Sequence, residues 1–372
     1  MDFSFSTRQQ ELCAFAQETA LFFDGSNEGG SFGGSSLWEK CARSGWPGLC
    51  IPEAFKGQGA GALDSVVAME ALGKAGANRS AMFALGAHLF GCAKAIDRFA
   101  PVALKDRLLP DLATGAKLGA LALTEATGGS ELKNVQTVLN GDGDGFRLSG
   151  EKTYVTNGTS ADVFLVLAKV ADRPAPFDLS VVVVEADPRV RRSAFEGAVG
   201  LPEAGMATVV FEDVAVPATH YLGRPGSGIS VLLATMQWER SCILAGALGA
   251  LARDFSLVRE HLTERLGGLG FQAVSHELAN LRQQIETTRL MMYRAAWELD
   301  QGGDALLYPA LSKLTVSETL LDGAIRLQKL MAGAGWAGQF GLVQAVQDSM
   351  ATCSVSGTSN VLRNLIATRL AG

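Results

Sequence analysis

The chain is poor in the residue types from which metal, disulfide and nucleic-acid sites are built. Its 372 residues include only four histidines, at 88, 220, 261 and 276, too scattered for a His-rich metal centre. Six cysteines, at 13, 41, 50, 92, 242 and 353, form no Cys-x-x-Cys pair and no cluster; they read as reduced core thiols of a cytoplasmic protein. Charged residues make up 19% and sum to −6, with no basic run to neutralise phosphates, which argues against a nucleic-acid partner. Met1-Asp2-Phe3 opens without the basic and apolar regions of a signal peptide. Charge interrupts each apolar run before the ~18 residues of a membrane helix, so no membrane span is expected. A last absence is local: no acidic residue and no histidine follows Asp348.

What is present reads as an ordered protein, 48% hydrophobic, in three zones. Residues 1–117 carry helical periodicity, as in "TRQQELCAFAQETALFF", with Ser6 or Thr7 as a cap. Residues 118–226 change to β-branched runs such as "DVFLVLAKV" and "LSVVVVEAD", bounded by turns such as "NGDGDG". Six or so strands without a long helix between them predict an antiparallel sheet or barrel rather than a dinucleotide-binding unit. Residues 227–372 return to long apolar-faced helices, among them "ISVLLATMQWERSCILAGALGALARDFSLVREHL", which fit a helical bundle.

Several short stretches could carry chemistry. Gly128-Gly129-Ser130, after a strand in "LTEATGGSE", is either a loop that brings backbone N–H groups to a cofactor or an ordinary turn. "GEKTYVTNG" reads as a strand ending in an Asn-Gly turn, a hairpin signal. "GRPGSG" at 223–228 lacks the strand–turn–helix context of a dinucleotide site. "AGAGW" at 332–336 reads as a helix end. The knuckle Ser356-Gly357-Thr358-Ser359-Asn360 before the last helix offers N–H groups and hydroxyls to phosphate, ribityl hydroxyls or an oxyanion. Glu239, in "TMQWERSCILAG", has no charged helical neighbour at three or four residues. It is an exposed edge residue, the partner of a distant Arg, or a buried base.

Taken together these stretches resemble the flavin-dependent acyl-CoA dehydrogenase family over nearly the whole chain. "SGWPGLCIPEAFKGQGAGALDSVVAMEALGKAG" is similar to its N-terminal signature. "ALTEATGGSE" and "GEKTYVTNG" are similar to its two flavin loops, "FEDVAVPATHYLG" to the exit from its β domain and "SGTSNVLRNLIATR" to its terminal segment. The resemblance implies an acyl-CoA dehydrogenase-like fold: an N-terminal helical domain, a middle β-barrel-like domain and a C-terminal four-helix-bundle domain, assembled as a homotetramer. It implies FAD, with Leu121, Leu123, Thr124, Gly129 and Ser130 at first-loop positions and Tyr154 and Thr156 at second-loop positions. Thr358 and Asn360 match the terminal flavin contacts. The resemblance also places the base. The family's commonest base is the Glu of Glu-Gly-Thr, replaced here by Ser356, whereas one branch carries its base in a Glu-Arg pair that Glu239-Arg240 matches. Glu239 is then the base, Ser356 donates its backbone N–H to the thioester oxygen, and Arg240 and Ser130 face the substrate.

A narrower likeness is to dehydrogenases that oxidise a prolyl group on a peptidyl carrier protein in pyrrole-forming natural-product pathways. It implies an acyl or prolyl carrier protein as partner, with a CoA thioester of isovaleryl type as the alternative substrate. Three departures stand out. Tyr154 replaces a Trp. The Arg-x-x-Phe-Gly element survives only as Arg265, with about four residues missing before Gln272. Lys329 and Ala332 replace a Gln and the first Gly of the segment that includes Gly333. The resemblance gives Arg265 to a neighbouring subunit's FAD pyrophosphate and gives Gln272, Lys329 and Gly333 to cofactor binding, Lys329 as a point charge on pyrophosphate. The departures leave open a flavin-binding member without dehydrogenase activity; an oxidase or monooxygenase on the same fold is a further alternative.

Overall fold

The 3.6-residue periodicity of the first zone becomes helices α1 (Thr7–Thr19), α2 (Ser36–Ser44), α3 (Ala62–Lys74), α4 (Arg79–Gly86), α5 (Lys94–Phe99) and α6 (Val102–Thr114). The computed structural model describes residues 3–23, 31–129, 134–175, 177–195, 197–304 and 306–370. Ser6 is the cap of α1: its hydroxyl accepts from Gln9 N while the Gln9 side chain accepts from Ser6 N, a reciprocal capping box. Between α4 and α5 the helix widens into a π turn over 87–93, a form concentrated at functional sites.

The second zone forms one sheet of β1 (Gly119–Ala122), β2 (Val138–Asp142), β3 (Gly145–Val155), β4 (Val163–Val170), β5 (Leu179–Glu185), β6 (Val190–Ala194), β7 (Ala207–Pro217) and β8 (Tyr221–Leu222). The order is β6-β7-β3-β2-β4-β5-β8, with β1 also on β4. The sheet is not wholly antiparallel as expected: β4 runs parallel to both β1 and β2. Strand alternation explains the unbroken apolar run of β4. Val163, Leu165 and Leu167 pack with residues of α5 and α6 and with Val231, Leu232 and Met236, whereas Phe164, Val166 and Ala168 pack inside the sheet. There Phe164 meets Phe211 of β7 edge-on at 5.9 Å, although the two strands are not neighbours. The sheet therefore curls over its own core, like a barrel.

The third zone comprises α7 (Gly228–Cys242), α8 (Ala245–Leu266), α9 (Gln272–Asp300), α10 (Leu307–Leu330), α11 (Ala332–Trp336), α12 (Leu342–Thr352) and α13 (Ser359–Leu370). Helices α7 to α10 pack as the bundle, with α12 and α13 against α10. The long run expected as one helix breaks at Ile243–Leu244 into α7 and α8. By length and composition residues 228–266 could cross a membrane, but 78% of the most apolar window is buried inside the fold, as in a core segment. Glycines let α8 lie directly on α3: a Cβ on Gly73 would stand 1.9 Å from the Gly246 carbonyl oxygen.

Candidate active site

Helix α7 runs between the π turn and α10, and this sets Glu239 in the interior, 9% exposed. Its Oε1 accepts from the Ser356 hydroxyl at 2.5 Å. Its Oε2 is buried with no partner. A Cβ on Gly91 of the π turn would lie 3.4 Å from Oε2 and 3.5 Å from Leu121 Cδ2. The missing side chain at Gly91 thus leaves space where the open oxygen meets the first flavin-loop strand. Burial pushes the Glu239 carboxyl above its ordinary range, while the Ser356 hydroxyl and the charges of Arg240 and Lys313 pull it back. Among the described residues Glu239 forms no ion pair, so of the three sequence readings only the buried carboxylate matches.

Two buried cations hold the knuckle. Ser356 and Gly357 both adopt left-handed backbone, with φ of +53° and +99°, a strained conformation for Ser356. Arg240 Nε donates to the Ser356 carbonyl at 3.0 Å, and Lys313 Nζ donates to the Gly357 carbonyl at 2.8 Å. Arg240, expected toward substrate, thus gives its Nε to the knuckle. Ser356, expected to act through its N–H alone, also touches the carboxylate through its side chain. Its N–H enters none of the described hydrogen bonds. Thr358 and Asn360 are exposed at the start of α13, where the Thr358 hydroxyl accepts from Val361 N at 3.4 Å.

The two flavin-loop segments are locked together by a buried ion pair that sequence reasoning missed. Lys152 Nζ stands 2.7 Å from Glu125 Oε1 and donates to the Leu123 carbonyl at 3.1 Å. Glu125 further accepts from the N–H groups of Gln136 and Thr137 and from the Thr137 hydroxyl. Burial would raise the Glu125 carboxyl, but Lys152 and these donors prevail and hold it at about 2. Both residues lay inside the quoted motifs, flanked by polar residues such as Thr124, Glu151 and Thr153, so no local pattern marked them as a pair. Thr153 N also donates to the Thr124 carbonyl at 2.8 Å. Leu121, Leu123, Thr124 and Thr156 are half-buried beside this lock. Gly129 is exposed, and a Cβ there would come within 3.1 Å of Thr124 Cγ2. Ser130 lies outside the described residues. Tyr154, 55% exposed at φ +55°, rests its ring on Phe195 at 4.9 Å.

The Asn-Gly step is not the hairpin turn its pattern suggests. Asn157 is fully buried, and its amide donates to the carbonyls of Ala84 at 2.9 Å and Gly119 at 3.2 Å. It joins the second loop to α4 and β1.

Arg265, Gln272, Lys329 and Gly333 form a separate group. They are exposed at the ends of α8, α9, α10 and α11, Lys329 about 24 Å along α10 from Lys313 at the usual helical rise. Around them Phe271, Phe340 and Trp336 are exposed, Trp336 by 81%.

Comparison with known proteins agrees with this arrangement. Three family models match in order: acyl-CoA dehydrogenase N-terminal domain over residues 8–116, middle domain over 120–214 and C-terminal domain over 226–371. The chain is 34% identical to an L-prolyl-[peptidyl-carrier protein] dehydrogenase of Pseudomonas fluorescens, with all of both chains covered. A solved FAD complex of PigA is 31% identical with a TM-score of 0.93, covering 100% of this chain and 99% of that one. The prolyl acyl carrier protein oxidase AnaB is 26% identical with a TM-score of 0.90, covering 99% of this chain and 100% of that one. With a buried carboxylate on the bundle, two interlocked loops on the sheet and all three domains matched, the chain belongs to the acyl-CoA dehydrogenase family.

Proposed function

We propose that the protein is an FAD-dependent dehydrogenase that oxidises the Cα–Cβ bond of a prolyl or other small acyl group held as a thioester on a carrier protein. One observation carries the chemistry: Glu239 is buried, bonded through Oε1 and open at Oε2. The residues present fit a flavin. The ring of Tyr154 is exposed beside half-buried Thr156, and Thr358 and Asn360 stand exposed beyond the knuckle. When bound, FAD supplies the acceptor for the hydride that leaves Cβ.

The chain supplies the rest. Glu239 Oε2 takes the α-proton, and burial makes the carboxylate a stronger base than one in water. Loss of that proton places negative charge on the thioester oxygen, to which the Ser356 N–H donates. Arg240 and Lys313 add positive charge behind both groups. The carrier-bound substrate is supported by the likeness to the prolyl-carrier-protein dehydrogenase. A homotetramer completes the reading, with Arg265, Gln272, Lys329 and Gly333 reaching a neighbour's FAD; the exposed Trp336 and Phe271 beside them support it.

Mass spectrometry of prolyl and acyl carrier proteins, and of matched CoA thioesters, after incubation with the holoenzyme tests this. Loss of hydrogens from the carrier-bound prolyl group ahead of the CoA esters is expected. Faster oxidation of isovaleryl-CoA would make it a catabolic enzyme. A flavin-loaded protein that leaves every thioester unchanged would make it non-catalytic. The name of AnaB favours a second reading, an oxidase that passes electrons to oxygen; hydrogen peroxide formed in step with product distinguishes the two.

A further inference from the structure

Lys313 is fully buried in the first half of α10, and a buried ammonium ordinarily has a carboxylate partner. Among the described residues this one has no ion pair. Its hydrogen bond goes instead to the carbonyl of Gly357, at 2.8 Å. That carbonyl follows the one held by Arg240, so two buried cations grip successive peptides of the strained turn. The hydroxyl on Glu239 Oε1 belongs to the first residue of the same turn.

We propose that Lys313 is a positioning residue for proton abstraction: through the Gly357 carbonyl it fixes the turn that presents Ser356 to Glu239, and its charge offsets the negative charge of the site. The proposal rests on Glu239 being the base. A charged donor roughly doubles the strength of such a hydrogen bond, and charge is felt strongly where water is excluded. The charged and titratable groups facing Lys313 are Glu239 and Arg240 from α7, Cys353 after α12 and Glu318 on its own helix. Glu318 is itself paired with Arg363 of α13. Burial lowers the Lys313 ammonium to about 8. Raising the pH through that value removes the cation while Glu239 stays ionised, and the carboxylate and the developing oxyanion then share one positive charge fewer.

Anaerobic flavin reduction by the prolyl-carrier thioester, followed in the holoenzyme across about pH 6 to 10, tests the proposal. The parent is expected to slow by roughly 10-fold above a limb near pH 8, an order of magnitude less than loss of the base itself. Lys313→Arg, whose charge persists to far higher pH, should lack that limb. Lys313→Met should be slow throughout, with flavin retained. A limb that persists in Lys313→Arg belongs to another group, such as the prolyl nitrogen, and overturns the proposal. So does a parent without a limb, or Lys313→Met at the parental rate. If Lys313→Met does not fold, the parent and Lys313→Arg profiles decide alone. Glu239→Gln, run in parallel, separates the two claims: parental flavin reduction in that variant removes the base itself, whatever the Lys313 variants do.

Discussion

Ser356 places its hydroxyl 2.5 Å from Oε1 of Glu239, across 117 residues of sequence, and leaves Oε2 without a partner. One oxygen is thereby anchored and the other is buried without a hydrogen-bond partner. The hydroxyl stabilises the carboxylate form and opposes the upward push of burial. Ser356→Ala is therefore expected to move the acid limb of flavin reduction to higher pH. At pH well above the limb the rate should stay within about 10-fold of the parent, because the backbone N–H survives. An unchanged acid limb would show that the hydroxyl does not act on the base.

The pair Glu125–Lys152 holds the two loops at which the cofactor is expected. Lys152→Met leaves Glu125 buried without its cation, and removing one partner of such a pair costs about 3–5 kcal/mol. Denaturant unfolding checks the loss, and FAD content should fall with it. The pH dependence has a definite sign. Glu125 is held at about 2, below the ordinary carboxylate range near 4.3. Its contribution to stability is full above about 4.3 and is lost as the pH falls through 2. Lys152→Met should flatten the acid-unfolding curve over that interval.

Gly73→Ala should damage the seat of α8. Its Cβ would lie 1.9 Å from the Gly246 carbonyl oxygen, backbone that cannot swing aside. A cost of about 1–3 kcal/mol or more is expected from such overpacking, read as a lower midpoint of thermal unfolding. Parental stability would mean that α3 and α8 separate easily.

At the far end of the bundle, Lys329→Met is expected to lower FAD occupancy on dilution while flavin that remains bound is still reduced by substrate. Light scattering with flavin absorbance checks this, since the group is assigned to a neighbouring subunit's cofactor. A monomer with full FAD occupancy would contradict the assignment.

Much of the architecture was legible because local patterns carried it. The β-branched runs of β4 and β5 and the cap near Ser6 are short-range facts, and Glu239 stood out as a lone carboxylate on an apolar stretch. What escaped were relationships across long separations. Ser356 meets Glu239, Lys313 meets Gly357 and Lys152 meets Glu125 only after the strands and helices have packed, so neither spacing nor periodicity marks them. Lys313 sat within "ALSKLTVSE" and Lys152 within "GEKTYVTNG" as unremarked cations. The parallel neighbours of β4 were likewise hidden, because its run reads as apolar whichever way the adjacent strands travel. Asn157 misled in the other direction, its turn chemistry being used to anchor a buried junction.

The most direct measurement is anaerobic stopped-flow reduction of FAD in Glu239→Gln by a prolyl-carrier thioester. The substitution is nearly isosteric, so fold and flavin should be kept while the open oxygen loses its capacity to take a proton. A fall in the reduction rate by about 10² or more at parental FAD content is the expected result. Reduction at a near-parental rate, with the variant instead less stable or poorer in flavin, would make Glu239 a structural residue and leave the protein without the base assigned to it.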